Sequence, residues 1–67
     1  MATVKVIEVL AESPDGFGAA AQAAVTKASE TLDDIRSVYL KELEAKVEND
    51  RITSYRVNAK ISFGLED

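Results

Sequence analysis

Between Ile52 and Phe63 apolar and polar residues alternate almost strictly. Tyr55, Val57, Ala59, Ile61 and Phe63 fall on one parity, and Ser54, Arg56, Asn58, Lys60 and Ser62 on the other. A period of two is the signature of a strand with one face on a core and the other face elsewhere. Upstream, Ser37 to Val47 also reads as a strand, and the Glu48-Asn49-Asp50-Arg51 segment between the two has the composition of a turn. The two strands are predicted to form a long antiparallel hairpin. With the turn centred on Asn49-Asp50, Val47 pairs with Ile52, Leu43 with Arg56, Tyr39 with Lys60 and Ser37 with Ser62. This register places Val38 and Leu40 on the face of Ala59 and Ile61. It sends Leu43, Ala45, Val47 and Ile52 to the opposite face near the turn, so the apolar side switches along the hairpin.

Thr3 to Leu10 is rich in β-branched residues, with Val4, Val6 and Leu10 on one parity and Ile7 and Val9 on the other. It reads as a strand buried on both faces. At Ser13-Pro14-Asp15-Gly16 a helix is predicted to start: Ser13 suits a cap, Pro14 the first helical position and Asp15 the positive end of the dipole. From Phe17 onward Ala20, Ala21, Ala24, Ala28, Leu32 and Ile35 recur at three- and four-residue spacing, the stripe of one amphipathic helix. Its buried side is mostly alanine, which lets the helix lie close to a sheet but supplies little volume.

Element lengths carry a consequence. A twelve-residue strand spans about 40 Å, whereas a helix of about 18 residues spans ~27 Å. The hairpin therefore outruns the helix, and the apolar positions at its end, Leu43, Ala45, Val47 and Ile52, are the candidate interface residues.

Composition sharpens this expectation. The 67 residues form one domain, 1–67, with no Cys and no His. Disulfides and thiolate or imidazole zinc sites are thereby excluded. A chain of this size buries only about 60% of the surface its unfolded form exposes, and ten of its apolar residues are alanines. Self-association is the stabiliser left, with an all-oxygen cation site as a lesser one. The net charge of −4 disfavours nucleic acid and anionic membranes as partners. The beginning of the chain lacks the pattern of a signal peptide, and no apolar run reaches the ~20 residues of a membrane span, so a cytoplasmic location is expected.

The order of strand, Ser-Pro-initiated alanine-rich helix and long hairpin closing in Phe63-Gly64-Leu65-Glu66 resembles the dodecin family. Three segments carry the likeness: Val6-Ile7-Glu8-Val9 with Ser13-Pro14-Asp15-Gly16, Ala28 with Thr31-Leu32, and Tyr55-Arg56-Val57 through Ser62-Phe63-Gly64-Leu65-Glu66. The resemblance implies an α+β fold of β-α-β-β order, a three-stranded antiparallel sheet partly wrapped around one helix and assembled as a hollow homododecamer. It also implies a binding or storage protein for flavin, FMN or riboflavin, with rings stacked between Trp side chains of neighbouring subunits and held by a Gln on the last strand. This chain departs from that pattern, with Ser37 at the Trp position and Arg56 at the Gln position. Ser37 has no π surface for stacking. Arg56 keeps a fork of donors for a carbonyl or phosphate, and Tyr39, two residues from Ser37 on the same strand face, is the nearest aromatic substitute.

The ligand-binding candidates are thus Ser37, Tyr39 and Arg56. The competing reading gives Arg56 and Lys60 an ion-pair role with Glu42 or Glu44, and Tyr39 an interface role. Without His, Cys or a Gly-rich phosphate loop, an enzyme is not expected. Glu30, Asp33 and Asp34 lie at the predicted end of the helix, where negative charge opposes the dipole. Some dodecin-like proteins are associated with calcium, and Asp33, Asp34 and Glu42 are the weak candidates for such a site, although no EF-hand spacing is present.

Overall fold

A computed structural model describes residues 3–65; Glu66 of the closing motif lies outside the described residues. The elements run β1 (Thr3–Ser13), α1 (Phe17–Ala28), β2 (Ile35–Glu48) and β3 (Arg51–Leu65). The three strands form one antiparallel sheet in the order β1-β3-β2, with α1 against one face. This is the expected β-α-β-β fold. No described helix is long and apolar enough to cross a membrane.

The helix is shorter than its apolar spacing predicted, 12 residues from Phe17 to Ala28. Ser13 belongs to β1, and its hydroxyl accepts a hydrogen bond from the Asp15 amide at 3.1 Å, closing a tight turn. Gly16, at φ 135°, takes the capping position in a conformation that side chains resist. At the other end the turns tighten through Glu30 N–H to Lys27 O and Thr31 N–H to Ala28 O. Acidic residues beyond Ala28 disfavour continuation, and Asp34 at φ 58° redirects the chain into β2. Leu32 and Ile35, expected on the helix stripe, instead pack on the core from the connection and from the first residue of β2.

In the hairpin, Val47↔Ile52, Tyr39↔Lys60 and Ser37↔Ser62 pair as predicted, but Arg56 pairs with Glu44 rather than Leu43. The cause is a bulge between Lys41 and Glu44, where Glu42 adopts φ 56° and two residues of β2 oppose Val57. A second irregularity, with Thr53 as the extra residue of β3, restores the register before the turn. The predicted switch of the apolar side is therefore corrected. Leu40 pairs with Ala59 on the helix-bearing face, and beyond the bulge Ala45 pairs with Tyr55 on that same face. Val47, two positions after Ala45, and its partner Ile52 follow. The bulge absorbs the parity change written in the sequence.

β1 pairs with β3 without interruption from Thr3↔Leu65 to Ser13↔Tyr55. Ile7, Val9 and Ala11 pack on the core, whereas Val4, Val6 and Leu10 are exposed. The expectation of burial on both faces fails within the single subunit, because α1 covers one side.

The core is thin. Ala20, Ala24 and Ala28 of α1 sit on Val57, Ala59 and Ile61 of β3, and Val57 and Ile61 are the largest side chains fully removed from solvent. Phe17 closes the helix start edge-on to Tyr55, with ring centroids 5.0 Å apart. The subunit measures 52 × 20 × 13 Å with a radius of gyration of 13.7 Å, against about 11 Å for a compact chain of this length. The hairpin beyond Tyr55 has no helix over it, and Val47 and Ile52 there are each more than half exposed, as is Leu43 in the bulge opposite Val57.

Candidate functional site

Pairing and alternation fix what the sheet shows on the face away from α1. β1 contributes Val4, Val6, Glu8, Leu10 and Glu12. From the central strand come Arg56, Asn58, Lys60 and Ser62, and from β2 Ser37, Tyr39, Lys41 and Glu44. Both cations of the central strand that the sequence singled out, Arg56 and Lys60, thus lie on one open face, together with Ser37 and Tyr39.

They do not lie together. Ser37 and Tyr39 are neighbours on β2, opposite Ser62 and Lys60 respectively. The Ser37 hydroxyl pairs with the Ser62 hydroxyl across the strands. Tyr39 is 64% exposed, the most exposed aromatic among the described residues. Arg56 sits four positions along β3 from Lys60, a separation of roughly 14 Å in an extended strand.

Arg56 is engaged by carboxylates on both sides. Its Nε donates to Glu12 Oε1 at 2.9 Å, Nη2 lies 2.8 Å from the same oxygen, and Nη1 lies 3.7 Å from Glu44 Oε1. The Glu12 hydrogen bond and charge, with Glu44 behind them, raise the guanidinium pKa further above its ordinary value. Of the two partners considered from sequence, Glu44 is found and Glu42 is not. Glu42 Oε1 instead accepts from Asn58 Nδ2 at 3.0 Å. Glu12, the stronger partner, was missed; its signal lay in registering β1 against β3, which sets Glu12 directly opposite Arg56.

Arg56 thereby ties β1 to β2 across β3 at the end of the sheet that the helix leaves bare. Replacing it in Arg56→Gln is expected to lower the melting temperature by no more than about 5 °C, since all three groups are solvent-exposed. Calorimetry in low and high salt checks this, with the difference from wild type shrinking as salt screens the pairs.

The weak cation candidates are dispersed. Asp33 and Asp34 lie in the connection before β2, and the Asp34 carboxylate pairs with Arg36 at 2.9 Å over the surface of Gly64. Glu42 lies eight residues further on, within the bulge and bonded to Asn58. No group of three or more His, Cys, Asp or Glu side chains that could hold a metal occurs among the described residues of one subunit. A calcium site that used all three of these carboxylates would have to draw them from more than one copy.

A single described helix on one face, an open face carrying an aromatic, hydroxyls and charges, and a thin core define a small α+β module of β-α-β-β order. Comparison with known proteins makes the class specific: the Dodecin family model matches residues 3–66, and the chain belongs to the dodecin family. Dodecins are binding proteins. Calcium dodecin of Mycobacterium tuberculosis is 33% identical over 65 residues, covering 97% of this chain and 92% of that protein. A solved structure of calcium dodecin from that organism, described as having a novel calcium-binding site, superposes with a TM-score of 0.79 at 32% identity, covering 96% of this chain and 91% of that one. Dodecin from Streptomyces coelicolor superposes with a TM-score of 0.89 at 33% identity, over 98% of this chain and 94% of that one.

Proposed function

We propose that this protein is a binding or storage protein that works as a closed homododecamer and holds a flat aromatic ligand of the flavin type, FMN or riboflavin, on the open face of its sheet. The observation that carries the reading is the Tyr39 ring, exposed on that face beside the Ser37–Ser62 hydroxyl pair and opposite Lys60. A phenol ring offers a stacking surface, smaller than an indole. Binding is accordingly weak, because Ser37 contributes no ring and Arg56 is occupied by Glu12 and Glu44. Self-association follows from the exposed aliphatics at the hairpin end and the thin core.

Sedimentation of the purified protein tests the assembly, with a particle many times the 7.2 kDa subunit mass expected; a folded monomer would sink it. Quenching of flavin fluorescence tests the ligand. A second reading, a cation-binding shell, draws support from the 33% identity to a calcium dodecin. Calorimetric titration with calcium separates the two, since a flavin vault without a cation site gives no binding heat.

A further inference from the structure

Building on the flavin reading above, we infer that Lys60, rather than Arg56, is the charge that meets the bound ligand, and that the site favours a flat aromatic molecule carrying an anionic group. The charges on the open face are unevenly divided. Near the hairpin end, Arg56 stands between Glu12 and Glu44 and is bonded to the first, with Glu42 close by on the bulge. An anion placed there would meet more carboxylates than cations. At the other end Lys60, with Lys41 diagonal to it on β2, stands against the single carboxylate of Glu8.

Lys60 occupies the middle of the central strand and is half-buried. It has Glu8 opposite it on β1 and the uncharged Tyr39 opposite it on β2. Its neighbours along β3 on this face, Asn58 and Ser62, are neutral, and it belongs to none of the ion pairs found among the described residues. A flexible ammonium with three donors is thus held next to the exposed ring and the two hydroxyls. An aromatic stacked on Tyr39 places its polar substituents within the sweep of that ammonium. Burial keeps the ammonium less screened than a surface lysine, and charge complementarity selects a phosphate-bearing ring over its uncharged counterpart.

FMN and riboflavin differ only in the phosphate, so fluorescence titration of the assembled protein with each reads the inference directly. Wild type is expected to hold FMN about tenfold tighter than riboflavin, with the gap narrowing in high salt. Lys60→Met, which keeps an unbranched stem, should erase the gap. Lys27→Met removes the same charge from the exposed surface of α1 and should preserve it. Equal affinity of wild type for both flavins overturns the role of Lys60 while leaving the flavin reading intact, as does a gap that disappears in Arg56→Gln instead. If neither flavin quenches with wild type, the flavin reading fails and this inference falls with it. Should Lys60→Met not assemble, the wild-type ratio and its salt dependence still decide.

Discussion

Val47→Asp is expected to abolish assembly, leaving subunits that sediment as unfolded or aggregated chains in place of one large particle. Val47 is 60% exposed in the single subunit and pairs with Ile52, itself 53% exposed, at the hairpin end that no helix covers. An unpaired charge enclosed in a contact between copies costs several kcal/mol. The subunit has little in reserve, since Val57 and Ile61 are the largest side chains wholly removed from water among the described residues. Val47→Ile, which keeps the surface apolar, should sediment as wild type. Sedimentation velocity with circular dichroism makes the measurement, and an intact particle for Val47→Asp would place the contact between copies elsewhere.

Ser37→Trp should produce the largest gain in ligand affinity available from one substitution. The side chain stands on the open face, next to Tyr39, and its present commitment is a single hydroxyl contact to Ser62. An indole there adds stacking worth about 0.5 to 1.5 kcal/mol per ring beyond the area it buries. Two symmetry-related copies enclosing one ligand pair would together raise affinity roughly tenfold or more. Riboflavin quenching by the two proteins measures the change. If wild type already quenches tightly, Ser37→Trp has little to add, and Tyr39→Leu then tests whether the phenol ring supplies the stack.

The elements of this fold were legible in the sequence because each has one strong periodicity. The alternation from Tyr55 to Phe63 fixed β3 and its buried parity, and the Asn49-Asp50 turn fixed the register at both Val47↔Ile52 and Tyr39↔Lys60. The end of α1 was not legible, because Leu32 and Ile35 continue a helical spacing while serving as core residues from a connection and a strand. Periodicity cannot separate these roles; the acidic residues after Ala28 were the available signal. The bulge at Glu42 was hidden for a similar reason. A change of parity between Leu40 and Leu43 looks the same whether the apolar face switches or a residue is looped out, and only the cover supplied by α1 selects the second.

The candidate site was legible residue by residue but not as an arrangement. Ser37, Tyr39 and Arg56 do share a face, as the hairpin parity required. Their separation into a Tyr39 end and an Arg56 end depends on β1, whose Glu12 and Glu8 divide the charges of that face. No pattern within β1 itself announces its partner strand.

The three register shifts of β2 against β3 also bear on how the length of this hairpin could drift over generations. Elsewhere in the hairpin, losing one residue would turn every later side chain to the other face. At Arg36 and at Glu42–Leu43 in β2, and at Thr53 in β3, the chain already carries one residue more than its partner strand requires. A single-codon deletion at any of these places removes a local twist and leaves every remaining cross-strand partner where it was. These are the positions at which the hairpin can shorten without turning its apolar residues to the other face.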